Sequence, residues 1–319
     1  MIRIYRPFLV CLIVATLFST GIAVGQIASF TEMVKEAEVA GLAVVSIKNG
    51  KIGESFYGGV RSTETNPPVT ENTVFEAESL SKLVVAYLAL LLAGEKLLDL
   101  DRPLADYASY PDAAADPQYL TITARMVLTH TSGFPNWRNN RVNLPVLFKP
   151  GLTFSYSGEG FVFLQRIMEF ITSRTLEDLA QSYVFEPLGM NSSSFVWQSD
   201  FAENIAVGHT DMGVALNKFT PLTGNAAFSL HTTAADYARF LLASNEGEGL
   251  TRSQKKEFTT VQVDAGDGIF WGLGWGLQPT LKGSSIWHWG DNPGYKSFAF
   301  LSADAKTGFV MLSNSANGM

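Results

Sequence analysis

The sequence predicts an α/β (α+β) protein: a mixed, mainly antiparallel sheet flanked by helices, with an all-helical lobe inserted between its strands. Three observations lead there. Short β-branched or aromatic runs lie at both ends of the chain, and apolar segments at helical spacing fill the middle. The 319 residues are 46% hydrophobic and 17% charged, which is ample core material for one large domain or two smaller ones.

The chain opens on a segment that reads as a signal peptide, residues 1–25. Arg3 and Arg6 give a positive start, Phe8 to Phe18 a short apolar core, and Ala23-Val24-Gly25 a small-x-small cleavage site. The apolar run falls short of the roughly 20 residues that span a bilayer; the competing reading is an uncleaved N-terminal anchor. The expectation is a secreted or periplasmic protein with no stable membrane insertion after cleavage. Cys11, the only cysteine, lies inside this segment. The mature chain therefore has no cysteine nucleophile, zinc–cysteine site or redox pair.

Ser29 to Ala40 repeats apolar residues at helical spacing. Leu42 to Ile47 is a strand, Asn49-Gly50 a hairpin turn, and Lys51 to Val60 the returning strand. Leu80 to Leu98 is an almost continuous run of Leu, Val and Ala and predicts a long helix. Shorter helices follow at Thr121 to Thr129 and from Phe161. Thr175 with Asp178, and Thr233 with Asp236, have the spacing of capping boxes. Strands return at Gly268 to Leu277, Ser285 to Trp289, Lys296 to Leu301 and Gly308 to Ser313, with turn signals at Asn292-Pro293-Gly294 and Asp304-Ala305. These assign residues 26–75 and 225–319 to a sheet lobe and 76–224 to a helical lobe.

Three short motifs can carry chemistry. Ser79 and Lys82 stand three apart at the start of the long helix, so they share one face. A serine hydroxyl needs a base, and a lysine among apolar residues has its pKa lowered towards that role. The helix N-terminus adds N–H groups for an oxyanion. Tyr156 in Tyr156-Ser157-Gly158 precedes a helix; near a lysine its phenol pKa is expected to fall, making it a base and then an acid. In His288-Trp289-Gly290, glycine lets a substrate approach the strand, and the N–H of Asp291 can complete an oxyanion hole. His130, His209 and His231 read as structural. No histidine has His-Glu-x-x-His spacing, so no metal site is expected. The net charge is −7 and no Lys/Arg-rich run occurs, so nucleic acid is not an expected partner.

The order of these motifs resembles that of the serine β-lactamase-related family, which includes class C β-lactamases, D,D-peptidases, D-aminopeptidases and carboxylesterases. Spacer segments resemble it too: Phe75 to Lys82, Gly94 to Asp101, Leu128 to Gly133, Pro150-Gly151, Pro187 to Met190 and Thr232 to Phe240. The resemblance implies a serine hydrolase domain over 26–319, with Ser79, Lys82 and Tyr156 catalytic and Tyr156, helped by Lys82, as the base. It implies no cofactor and a small ester, amide or peptide substrate; it leaves oligomeric state open. Two departures move the expectation from β-lactamase to esterase or D-stereospecific peptidase. Gly158 stands where the β-lactamases usually have Asn, and His288 where they usually have Lys. A β-lactamase, or a non-catalytic penicillin or peptidoglycan sensor, is the alternative. The family normally continues into a helix that covers the sheet; this sequence stops at Met319, so a fragment lacking that helix is expected.

Overall fold

Asn49 and Gly50 both take positive φ (54° and 70°), the geometry of a tight hairpin. They join β1 (Gly41–Lys48) to β2 (Lys51–Gly59). The computed structural model describes residues 31–139, 143–304 and 306–319. The expected signal peptide, Cys11, Ser29, Phe30 and Ala305 lie outside the described residues. Of the first expected helix, residues 31–36 are helical.

The main sheet has eight strands in the order β2-β1-β10-β9-β8-β7-β6-β5. Its later strands are β5 (Val263–Gly266), β6 (Ile269–Trp271), β7 (Gly276–Thr280), β8 (Gly283–Asn292), β9 (Tyr295–Leu301) and β10 (Thr307–Ser313). Every ladder between its described strands is antiparallel, in keeping with the expected mainly antiparallel sheet flanked by helices. The run Gly268 to Leu277 is not one strand. Gly274, at φ 96°, turns the chain back, and a Cβ there would lie 2.3 Å from Ala86 Cβ. The turn delivers Trp275 onto Phe258, ring centroids 4.0 Å apart.

The sheet buries both faces by simple alternation. Leu42 and Val44 pack with Val34, Phe309 and Met311 on one side. Ala43, Val45 and Ile47 face the main core on the other, where helix α5 (Ala234–Glu246) lies against β1, β2 and β10. Thr233 caps α5 through Asp236 N, but Asp236 does not close a capping box. Its carboxylate instead takes Ser192 N and Ser193 Oγ and pairs with Arg239.

Between β2 and α5 comes the helical region. Helix α1 (Ser81–Gly94) is buried from Ser81 to Leu90, which explains its unpatterned apolar sequence. It ends at Gly94, earlier than the apolar run suggests, because Lys96 turns at φ 62° and returns Leu98 to the core. Helix α2 (Ala124–Leu128) is capped by Thr123; α3 (Gly158–Thr172) is capped by Ser157 and starts three residues before Phe161. The Thr175–Asp178 capping box forms and opens α4 (Leu176–Ala180). A separate two-stranded ladder, β3 (Phe75–Glu76) with β4 (His231–Thr232), leads directly into the turn that carries Ser79.

Candidate active site

Ser79 sits in a 3₁₀ turn, Glu78–Leu80, that runs into α1 and packs against β8 and β9. It is partly exposed, whereas Lys82, one turn on, is fully buried. Lys82 Nζ lies 2.9 Å from Ser79 Oγ and 2.8 Å from Ala227 O. Burial alone lowers the ammonium's pKa to about 7. A neutral amine has two N–H donors and one lone pair. It can hold Ala227 O with a donor and accept from the Ser79 hydroxyl with the lone pair. Ala227 had no role in the sequence reading, because a backbone carbonyl 145 residues away leaves no side-chain signal.

Tyr156 stands over this pair, its ring centroid 4.9 Å from Lys82 Nζ. Its ring is partly exposed but its hydroxyl is buried and makes no hydrogen bond. Burial pushes the phenol pKa up; the nearby Ser79 hydroxyl pulls it back only in part. This overturns the expectation of a lowered phenol pKa. Desolvation decides the direction, and burial also weakens the positive charge of the lysine by lowering its pKa to about 7.

His288 is brought to the site but not to its surface. It is fully buried, its ring 6.1 Å from Tyr156 and 5.4 Å from Trp271. Burial, then the Lys82 charge, lowers its pKa to about 3, so it is neutral. Its Nδ1 is 2.7 Å from Trp289 O, which makes Nδ1 the protonated nitrogen and leaves Nε2 an acceptor with no partner. His130, read as structural, also belongs here. Its Nδ1 accepts Ser157 N–H at 3.0 Å, its Nε2 is unpartnered, and its ring lies 4.2 Å from Tyr156. His209 is structural, held between Thr63 N and Asn314 O.

Gly290 is buried, and a Cβ there would meet Glu78 Oε2 at 2.1 Å and Ser297 Oγ at 2.2 Å. Glycine is thus required by the Ser79 turn, in addition to any substrate. Asp291 is exposed and paired with Lys296. Gly158 is the first residue of α3 and lies under Trp137, whose ring carbon would be 2.9 Å from a Cβ. The position is occupied by a tryptophan and is not an open gap in the substrate wall. Trp271 and Trp275 are core residues, 1% and 0% exposed, and offer no surface to a substrate. A cavity of about 250 Å³ opens instead between Glu76, Leu216, Phe219, Phe228, Asn292 and Tyr295. Its lining does not include Ser79, Lys82 or Tyr156.

Among the described residues no helix is long and apolar enough to cross a membrane. The profile of the family described as Beta-lactamase matches residues 27–319. The chain is 23% identical over 335 residues to a β-lactamase of Yersinia enterocolitica, covering 90% of this chain and 85% of that one. It is 26% identical over 297 residues to penicillin-binding protein 4* of Bacillus subtilis, covering 81% of this chain and 64% of that relative's length. Its fold superposes on the D-alanine carboxypeptidase AmpC of Burkholderia cenocepacia with TM-score 0.77 at 21% identity, covering 90% of this chain and 91% of that one.

Proposed function

The chain belongs to the Beta-lactamase family, and from that premise we propose that it hydrolyses small esters or D-configured peptides through an acyl-enzyme on Ser79. The observation that carries this is the buried Lys82 Nζ 2.9 Å from Ser79 Oγ, with its pKa lowered to about 7. Lys82 takes the hydroxyl proton as Oγ bonds to the substrate carbonyl carbon. The N–H groups of Ser79 and Asp291 receive the oxyanion; the first N–H groups of a helical turn have no partner within it. The phenol of Tyr156, protonated at rest, donates its proton to the leaving group as the C–O or C–N bond breaks. The proton on Lys82 then restores the phenol. Water enters by the same route in reverse and releases the acid.

Neutral, buried His288 and ion-paired Lys296 give no free cation at the third motif for a β-lactam carboxylate. The test is a substrate panel on one preparation: p-nitrophenyl butyrate, a D-Ala-D-Ala peptide and nitrocefin. The ester or the peptide is expected to have the highest kcat/KM; a nitrocefin value above both reverses the substrate assignment. The kcat/KM profile is expected to fall on the acid side with an apparent pKa near 7, because protonated Lys82 cannot accept the Ser79 proton.

A further inference from the structure

Glu78, the residue before the nucleophile, is not needed by the chemistry above, yet it is the most constrained residue near it. It adopts φ 45°, a conformation in which a non-glycine residue is strained. Its side chain is fully buried. Oε2 lies 2.5 Å from Ser297 Oγ, while Oε1 has no partner. The carboxyl fills the space above Gly290, the residue before Asp291. It is thus the residue before one donor of the expected oxyanion hole, Ser79, and packs on the residue before the other, Asp291.

The surroundings decide its charge. Glu76 faces it from β3, Asp291 from β8, and Tyr295 and Lys296 from β9. The only cation among them, Lys296, is paired with Asp291. Lys82, on α1, is bonded to Ser79 and Ala227. An ionised Glu78 would be a buried charge without a counter-ion and beside two other carboxylates, a costly state. Burial holds its pKa well above the usual carboxylate range; the Ser297 hydrogen bond, next in size, pulls it down, the Glu76 and Asp291 charges push it up again, and Lys296 opposes them. The hydrogen bonds leave room for a neutral acid. Ser297 Oγ has one proton, and Ala77 O, 3.1 Å away, can only accept. With that proton on Ala77 O, Glu78 supplies its own to Ser297 Oγ. The relay Glu78–Ser297–Ala77 then clamps the nucleophile's turn onto β9.

We propose that Glu78 is a positioning residue for Ser79: as a neutral acid it latches the nucleophile's turn to the β8–β9 edge, and its ionisation releases the latch and suppresses acyl transfer. This rests on the Ser79 reading above. Ionisation places a negative charge beside the site where the oxyanion forms, so it opposes the transition state as well as the fold.

The experiment compares wild type, Glu78→Gln, Glu78→Ala and Ser297→Ala, by p-nitrophenyl butyrate hydrolysis and thermal unfolding across pH. Wild type is expected to show an alkaline loss of kcat. Glu78→Gln keeps an N–H donor that does not titrate; it is expected to retain about a third or more of the neutral-pH kcat and to lose the alkaline limb. Glu78→Ala and Ser297→Ala are expected to lower kcat about ten-fold or more, with KM changed less. The unfolding series is independent of activity. The folded carboxyl keeps a proton that the unfolded chain releases. Its stabilisation is thus complete below the unfolded pKa and lost as pH rises through the folded one. Wild-type Tm should fall over that range by more than the Tm of Glu78→Gln. An alkaline limb that is missing from wild type or unchanged in Glu78→Gln overturns the latch, as does parallel unfolding of the two proteins. If no variant hydrolyses any ester, the Ser79 reading fails, and the unfolding series alone decides the latch.

Discussion

The two sides of the Tyr156-Ser157-Gly158-Glu159 segment handle buried polarity in opposite ways. On one side Glu159 is almost wholly buried and fully answered: Arg138 reaches it with Nε at 3.0 Å and Nη2 at 2.6 Å, and also holds Asp112 and the Tyr110 hydroxyl. On the other side buried atoms go unanswered: Tyr156 Oη, His130 Nε2, His288 Nε2, Trp271 Nε1 and Glu78 Oε1. Buried polar groups are normally paired, since an unpaired one costs on the order of 1–3 kcal/mol. Among the described residues, these are five of the eight unpaired buried side-chain atoms, the other three being Arg61 Nε, His231 Nε2 and Asn314 Oδ1; they lie around the Ser79 turn, next to a saturated network. Burial also favours the neutral form of Lys82, the form that the proposed reaction needs.

Substitutions can break that contrast, and the largest effect falls on the unanswered side. Ser79→Ala is expected to lower kcat/KM by about 10⁴-fold or more with no loss of Tm, measured by ester hydrolysis and thermal unfolding. Tyr156→Phe should lower kcat by about 10²–10⁴-fold, with KM changed far less. Its Tm should hold or rise, because it removes a hydroxyl without a partner. A variant within about ten-fold of wild type would leave Lys82 to work without it. Lys82→Met should abolish turnover and raise Tm. Its folded pKa is depressed, so at neutral pH the folded state gives up a proton that the unfolded chain keeps, and this cost disappears with the amine.

The answered side should respond in the reverse sense. Arg138→Met leaves Glu159 buried and unpaired and is expected to cost about 3–5 kcal/mol in denaturant unfolding. Below its lowered melting temperature it should keep most of its kcat. Equal losses of stability and kcat would erase the contrast. The smallest effect is at Ser81, whose Oγ accepts Leu230 N–H at 3.0 Å in the core. Ser81→Ala should lose about 1–3 kcal/mol of stability and little activity.

Much of this was legible where the signal is local. Asn49-Gly50 dictates a hairpin because both residues tolerate positive φ, and Thr175 with Asp178 closes its box because nothing else claims the Asp178 carboxylate, whereas the same spacing at Thr233 fails once Ser192, Ser193 and Arg239 take Asp236. Ser79 and Lys82 meet because i and i+3 share a helix face. The start of α3 is not legible: the apolar spacing places the helix from Phe161, yet Ser157 Oγ caps it earlier through Gly160 N at 3.0 Å. The break at Gly274 was missed because it is set by Ala86, far away in the sequence. The same holds for His288, expected at the substrate and found behind Tyr156. Its place depends on which face of β8 meets the core, and period-2 patterning is weak among alternating aromatics. Glu78 looks like an ordinary exposed acid in sequence; only β8 and β9 closing over it make it buried.

The central claim is a covalent bond to one atom, and mass spectrometry of the acyl-enzyme tests it directly. Wild-type protein is quenched in acid during turnover of p-nitrophenyl butyrate, or treated with a fluorophosphonate, then digested and mapped. One adduct on Ser79 is expected, absent from Ser79→Ala. An adduct on Ser81 or Ser157 instead, or turnover that leaves no adduct by either reagent, would contradict the account.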